Sequence, residues 1–137
     1  MYVDGVDCLV NEVRPLNKEL FSHKFKHAAL RYEVATALGT SKIVHVAGGT
    51  PAGKFNDLSL SHICLVPRLL PGERAAADKG YRDNQKTFIT PVQPFGSPTL
   101  RQKIKKHNRE LKVMASRHES VNVNKRIKDF GILTIPY

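Results

Sequence analysis

The chain has 137 residues, a length that fits one domain able to bury a core without a metal or a disulfide framework. Hydrophobic residues make up 41% and charged residues 25%, which is ordinary for a globular protein and argues against general disorder. No apolar run approaches the ~20 residues needed to span a bilayer, so we expect no membrane association. Two cysteines, Cys8 and Cys64, are too few for a disulfide framework and favour a reducing compartment.

The net charge of +10 favours a polyanionic partner, with nucleic acid ahead of a membrane surface. Residues 101–128 hold ten basic side chains against Glu110 and Glu119, and so carry eight of the ten net charges. The basic residues are Arg101, Lys103, Lys105, Lys106, Arg109, Lys112, Arg117, Lys125, Arg126 and Lys128. A helix dense in Lys and Arg is often only a solvated face, and that remains the alternative to a binding surface.

The first half of the chain reads as strands. Residues 1–10 are predicted to form the first strand, and residues 11–26, broken by Pro15, a loop. Alternating residues 30–38 predict a second strand and residues 42–47 a third. The short turn between them, at Gly39, implies an antiparallel hairpin. Residues 48–54 are then expected to form a loop.

The second half reads mainly as helices. Asn56 or Asp57 is expected to cap a helix that ends by Pro67. Residues 74–78 predict a short buried fourth strand, and residues 82–98, rich in proline, an irregular loop. Ser97 or Thr99 should then cap helical sequence to about Lys128. Its predicted inward stripes are Ile104, Leu111 and Met114, and then Val123, Ile127 and Phe130.

Residues 48–54 also match most of a phosphate-binding P-loop. Phe55, however, stands where that mechanism needs a hydroxyl on Mg²⁺, and Pro51 removes one backbone N–H from the cradle. We therefore interpret the segment as a connection between strand and helix.

Three strands, a helix, a fourth strand and then basic helices predict an α/β fold, a mixed β-sheet flanked by helices. This is also the element order of the ribonuclease H-like fold, in which the centre of the first strand and the end of the fourth are neighbours. Asp4 and Asp78 lie on those two elements, and Glu119 lies on the later basic helix. Each acid alone has an ordinary structural interpretation, as a turn former, a strand-end cap or a helix ion pair.

Five sequence blocks together resemble the DDE superfamily endonuclease domain of transposases, especially the PIF/Harbinger-like group. The blocks occur in the family's order across nearly the whole chain. They are Val3-Asp4-Gly5-Val6, the segment 21–34, the segment 51–57 that ends in Asp57, Ala77-Asp78-Lys79-Gly80-Tyr81, and the segment 117–130 around Glu119.

The resemblance implies that Asp4, Asp78 and Glu119 are the catalytic carboxylates and the ligands of two Mg²⁺ or Mn²⁺ ions. Asp4 would bridge both ions, and Asp57 matches a further acidic position, for which a helix cap is the alternative. Mg²⁺ prefers hard oxygen ligands of this kind, and two ions suit phosphodiester cleavage. Strand transfer by a freed 3′-hydroxyl is implied by the resemblance alone. Basic residues near Glu119 would hold DNA: Lys105, Lys106, Arg109, Lys112, Arg117, Lys125 and Arg126.

The sequence therefore predicts a single catalytic domain over residues 1–137, without the upstream region that would read transposon ends. The expected partners are DNA, a separate DNA-binding protein and a second copy of the chain, and the resembled group implies the nucleus. A transposase-derived module that binds DNA or protein without cutting is the alternative function.

Overall fold

The computed structural model describes residues 1–12, 14–40, 42–83 and 86–120, apart from the side chains of Glu119 and Ser120. The elements are six strands and two α-helices, joined by short 3₁₀ turns. In chain order they are β1 (Tyr2–Leu9), β2 (Phe21–Ser22), β3 (His27–Thr36), β4 (Ile43–Pro51), α1 (Asp57–Cys64), β5 (Ala75–Ala76), β6 (Phe88–Ile89) and α2 (Pro98–Ser120).

All six strands belong to one mixed sheet. β1 pairs antiparallel with β3 along its whole length, from Tyr2 opposite Thr36 to Leu9 opposite Ala29. β4 pairs antiparallel with β3, which confirms the predicted hairpin, and β2 pairs with the start of β3. Beyond β1 the sheet turns parallel, because β5 runs parallel to β1 and β6 parallel to β5. The protein is therefore mixed α/β, as predicted, with β1 between β3 and β5.

The two faces of the sheet are buried differently, because alternate residues of a strand point to opposite faces. On one face, Val3, Ala35 and Ala75 join a core with Leu65, which follows α1. On the other face, Tyr2 and Ala76 pack against Leu111 of α2. The strands thus form a layer with core on both sides.

Three segments differ from the sequence prediction. Residues 11–26 were expected to form a loop, but they contain β2, which pairs with the start of β3. Gly48–Pro51 was expected to be loop, yet it continues β4 to Pro51. Consecutive residues Arg31 and Tyr32 of β3 pair with Thr50 and Gly48, so β4 has one extra residue, Gly49, at a bulge. The positive φ values of 135° at Gly48 and 75° at Gly49 suit glycines there. The proline-rich segment 82–98 was expected to be irregular throughout, but it contains β6.

Helix α2 follows its prediction within the described residues. Ser97 Oγ accepts a hydrogen bond from the Leu100 N–H at 3.3 Å, the geometry of an N-terminal cap. Ile104 and Leu111 are buried and Met114 is half-buried, so the first inward stripe is confirmed. The second stripe, Val123, Ile127 and Phe130, lies outside the described residues.

Candidate active site

Asp4 lies near the middle of the sheet. It is the third residue of β1, opposite Val34 of β3, and is half-buried. Its Oδ1 accepts a hydrogen bond from the Gly5 N–H at 2.8 Å. β1 reaches this central position because Val3, Val6 and Cys8 are buried beside the acid. The Asp4 carboxylate therefore accepts a hydrogen bond from the adjacent backbone, on a strand whose position is fixed by its buried side chains.

Asp78 lies just beyond the end of β5 and is exposed. Its Oδ1 accepts a hydrogen bond from the Gly80 N–H at 2.7 Å, which caps the short 3₁₀ turn Lys79–Tyr81. This agrees with the cap considered from the sequence, and it leaves the carboxylate at the surface.

The register of β1 and β5 relates these two acids. Tyr2 pairs with Ala76 in parallel, and Asp4 and Asp78 each follow two residues later on their strands. Parallel strands advance together, and side chains two residues apart share a face. Asp4 and Asp78 therefore lie at the same level of neighbouring chain segments, on the face of the sheet to which Tyr2 and Ala76 belong. The sequence placed them 74 positions apart, and the fold brings them together.

Asp57 approaches the same region from the opposite face. Asn56, and not Asp57, caps α1, because its Oδ1 accepts the Ser59 N–H at 2.7 Å. Asp57 is the first residue of the helix, and its carboxylate packs against Gly5. A methyl group at position 5 would overlap it, with the Asp57 Cγ only 2.6 Å away. Helix α1 can pack in this position because Gly5 has no side chain.

Burial raises the pKa of the Asp57 carboxyl, and the negative charges of Asp7, Asp4 and Asp78 raise it further. The Arg31 guanidinium opposes this rise. Asp4 and Asp78 thus raise the pKa of Asp57, although Asp57 lies on the other face of β1, beside Gly5. The three carboxylates share one electrostatic environment, from two sides of the sheet.

Arg31 of β3 joins Asp57 to a second buried acid. Its Nε and Nη2 donate to the two oxygens of Asp7 at 2.7 and 2.9 Å, and its Nε lies 3.3 Å from Asp57 Oδ1. Nη1 donates to the Phe55 carbonyl at 3.0 Å, and Ser22 Oγ donates to Asp7 at 2.6 Å. Although burial raises the pKa of Asp7, the hydrogen bonds from Arg31 and Ser22 hold it below its ordinary value.

Arg31 was not singled out by sequence reasoning. The available signal was the charged pair Arg31 and Glu33, which point to one face in the middle of an otherwise apolar predicted strand. Charges at that position need buried partners. Their identities could not be read from the sequence, because Asp7 and Phe55 each lie 24 residues from Arg31.

Glu33 and His45 form a neutral buried pair beside this network. Glu33 is 1% exposed, and its Oε1 lies 3.2 Å from His45 Nε2. Burial, assisted by the charge of Asp57, raises the pKa of Glu33 to about 8. Burial and the nearby Arg68 lower the pKa of His45. Near neutral pH, a protonated Glu33 therefore faces an uncharged imidazole.

Tyr81 lies fully within the core next to these acids. Burial raises the pKa of its hydroxyl far above the ordinary value, and Asp57, Glu33, Asp4 and Asp78 contribute. Its ring packs on Phe88 with centroids 5.3 Å apart. The Asp78–Gly80–Tyr81 segment is thus anchored by an aromatic side chain below the exposed carboxylate.

Glu119 occupies the last turn of α2, and its side chain lies outside the described part of the structure. The residue before it is well placed: His118 is buried, with Nδ1 2.8 Å from Thr36 Oγ1 and its ring 5.2 Å from that of Tyr2. The end of α2 therefore crosses β1 and β3 at the level of Tyr2 and Thr36, two residues from Asp4.

The predicted DNA-binding residues of α2 are exposed where the structure describes them, as expected of a surface that meets solvent or a ligand. They are Lys105, Lys106, Arg109, Lys112 and Arg117. Lys125 and Arg126 lie outside the described residues.

Within residues 1–12, 14–40, 42–83 and 86–120, no group of three or more His, Cys, Asp or Glu side chains is arranged to hold a metal ion. Asp4 and Asp78 supply two carboxylates, and the side chain of the third predicted ligand, Glu119, is not among those that the structure describes. In the same residues, no helix combines the length and apolar character needed to cross a membrane.

Comparisons with family models, with curated proteins and with solved structures find no match for this chain.

Proposed function

We propose that this chain is a metal-dependent DNA endonuclease domain of the DDE transposase type, with Asp4, Asp78 and Glu119 as its metal-binding carboxylates. The observation that carries the proposal is the parallel pairing of Tyr2 with Ala76, from which Asp4 and Asp78 each follow by two residues. The resemblance of the five sequence blocks predicts that same pair, and it does so without using the strand register.

A ribonuclease H-like fold is part of the proposal. Three antiparallel strands, β4, β3 and β1, continue into two parallel ones, β5 and β6, with α1 as the crossover. This order supports the fold because it makes neighbours of β1, which carries Asp4, and β5, which Asp78 follows. The end of α2 passes over β1, where a third carboxylate would have to arrive.

The donor chemistry fits Mg²⁺ or Mn²⁺, which take hard oxygen ligands. Asp4 and Asp78 are each oriented by a hydrogen bond from the backbone, from Gly5 and from Gly80. Asp57 is a poorer ligand, because Arg31 and Gly5 already occupy its surroundings. When bound, such an ion supplies Lewis-acid activation of water and stabilises charge on a leaving oxygen.

The substrate is inferred from charge. The exposed Lys and Arg residues on α2, the helix that carries Glu119, would bind phosphates without reading sequence. The same surface also favours the second candidate, a module that binds DNA and does not cut it. Strand transfer rests on the resemblance alone.

Plasmid nicking tests the proposal. Supercoiled DNA is incubated with the protein in Mg²⁺ or Mn²⁺, and the parent is compared with Asp78→Asn. Asn retains an oxygen for the Gly80 N–H, so the 3₁₀ turn keeps its cap while the charge is lost. The matched control is Glu19→Gln, which removes a carboxylate from an exposed ion pair with Lys54.

We expect metal-dependent nicking by the parent and by Glu19→Gln, and a loss of about 100-fold or more in Asp78→Asn. Nicking that survives in Asp78→Asn would contradict the assignment of the triad. A parent that binds DNA in a salt-sensitive way and never nicks would establish the silent module instead.

A further inference from the structure

A groove lies along the parallel edge of the sheet and begins at Lys79, the residue after Asp78. Its first part, with a volume of about 540 Å³, is bordered by Lys79, Gly80 and Arg82 and by the segment 91–94. Its second part, about 330 Å³, is bordered by Arg74, Phe88 and His107. Arg82 and Val92 border both parts, so the two parts adjoin.

The segment of the groove around Val92 is fixed to α2. Asn108 uses both ends of its amide on one residue: its Oδ1 accepts the Val92 N–H at 2.9 Å, and its Nδ2 donates to the Val92 carbonyl at 2.6 Å. His107 Nε2 lies 3.3 Å from the Thr90 carbonyl. These contacts hold an extended segment against the helix, so the groove is largely formed before any ligand enters.

The cations of the groove are held in place by backbone carbonyls. Arg74 Nη2 donates to the Phe88 carbonyl at 3.0 Å, and Arg82 Nη2 donates to the Pro91 carbonyl at 2.8 Å. A guanidinium has five N–H donors in a planar fork that matches phosphate oxygens, so most of the donors of each arginine remain for a ligand. Both side chains belong to exposed residues.

The charge of the groove is strongly positive. Among the described residues that line it, Arg74, Lys79, Arg82 and Lys86 are cationic and Asp83 alone is anionic. Asp83 is turned inward, with its side chain 6% exposed; its Oδ1 accepts the Thr87 N–H at 3.2 Å and its Oδ2 lies 3.6 Å from His62 Nε2. The exposed lining therefore presents cations with apolar surface, such as Val92, between them.

We propose that this groove binds the sugar–phosphate backbone of one DNA strand that leads away from Asp78. Repeated anions along a chain with apolar sugars between them match spaced cations separated by apolar surface. Among the described residues that line the groove, the one phenyl ring, Phe88, is buried and the His107 imidazole is bonded to Thr90, so base stacking contributes little and binding should be independent of sequence. The proposal rests on the proposed function, because it takes the strand beside Asp78 to be the one that is cleaved.

The test measures DNA binding without metal, so that it does not depend on cleavage. Fluorescence anisotropy of a labelled DNA duplex is followed in EDTA over a range of salt concentrations, for the parent and for Arg74→Gln/Arg82→Gln. The control, Arg14→Gln/Arg68→Gln, changes two exposed arginines outside the groove and gives the same net charge. Thermal melting verifies that each variant folds. Lys79→Gln, in the same groove, carries the test if the double variant does not fold.

We expect the groove variant to bind DNA about tenfold more weakly at about 0.1 M salt, with a salt slope lower by about two, since each lost phosphate contact lowers it by about 0.9. The control variant should retain most of the parent's affinity and slope. Equal binding by the groove and control variants would overturn the proposal.

This result is separable from the nicking assay. Weakened binding in the groove variant, together with nicking that survives in Asp78→Asn, would retain the groove and reject the endonuclease triad. If nicking depends on Asp78 but the groove variant binds DNA like the control, the proposed role of the groove is wrong and the endonuclease triad is retained.

Discussion

The carboxylate of Asp57 packs against the backbone of Gly5, and this contact seats helix α1 on the strand that carries Asp4. The contact is possible only because residue 5 has no side chain. The sequence block that contains Asp4 and Gly5 therefore has a packing function as well as a chemical one.

Replacing Gly5 by Ala should destabilise the protein by about 1–3 kcal/mol, the usual cost of forcing extra volume into a packed site. The new methyl group would displace Asp57 and the start of α1. Urea unfolding of the parent and of Gly5→Ala gives the difference in the free energy of unfolding.

The double-mutant cycle with Asp57→Ala identifies the cause. If the overlap with Asp57 is responsible, Gly5→Ala should cost much less in the Asp57→Ala background than in the parent. Additive effects of the two substitutions would mean that residue 5 acts through something other than Asp57.

Arg31 should be among the most sensitive positions of the fold. Its side chain is 14% exposed and that of Asp7 is 4% exposed, so removing the guanidinium leaves the buried Asp7 carboxylate without its charged partner and with Ser22 alone as a donor. Arg31→Met should lower the free energy of unfolding by about 3–5 kcal/mol. Arg31→Lys should recover only part of this, because an ammonium cannot make the bidentate contact with Asp7.

The control for Arg31 is Lys54→Met. Lys54 and Glu19 form an ion pair in which the side chains are 53% and 55% exposed. Such a pair contributes at most about 1 kcal/mol. Chemical unfolding of the three variants should therefore separate Arg31→Met clearly from Lys54→Met, and a similar small loss for both would contradict a stabilising role of the buried network.

The sequence was sufficient for the regular elements and insufficient for their long-range partners. The hairpin of β3 and β4 could be predicted because alternation and a turn at Gly39 are local signals. β6 could not, because its two residues, Phe88 and Ile89, become a strand only by pairing with β5. The extension of β4 past Gly48 likewise depends on pairing with β3 across a bulge at Gly49 of β4.

The candidate site divides in the same way. Asp4 and Asp78 were found from motifs, and their alignment follows from the pairing of Tyr2 with Ala76, which no local pattern encodes. Asn56 or Asp57 was expected to cap α1, and Asn56 does so, while the carboxylate of Asp57 packs against Gly5. The contact with Gly5 could not be read from the sequence, because the two residues are far apart along the chain.

Glu33 should make stability fall as the pH rises above 6.5. Its pKa is raised from 4.5 to about 8 in the folded protein, so the folded state binds more protons than the unfolded state between those values. The associated stability is complete below pH 4.5 and is lost as the pH rises through about 8. His45, whose pKa is lowered from 6.5, has the opposite effect, but only below pH 6.5.

The clean window for this effect is therefore pH 6.5 to 8. Between pH 6.5 and 8, the free energy of unfolding should fall in the parent by about 1–2 kcal/mol more than it falls in Glu33→Gln. The Gln side chain keeps the size and polarity of Glu33 but does not titrate. Unfolding curves at several pH values measure this. Parallel pH profiles for the two proteins would show that Glu33 does not titrate in this range.

Divalent metal should stabilise the folded protein through Asp4 and Asp78. Asp4 and Asp78 each follow the paired residues Tyr2 and Ala76 by two positions, and both raise the pKa of Asp57, so a cation bound between them would offset the negative charge of this region. A ligand that binds only the folded state at 100 times its Kd contributes about 2.7 kcal/mol, which raises the melting temperature by several degrees.

Thermal melts with Mn²⁺ and with EDTA should show this rise in the parent and in Glu19→Gln. The rise should be absent in Asp4→Asn, whose amide oxygen can still accept the Gly5 N–H. An equal rise in Asp4→Asn would mean that the metal binds elsewhere on the protein.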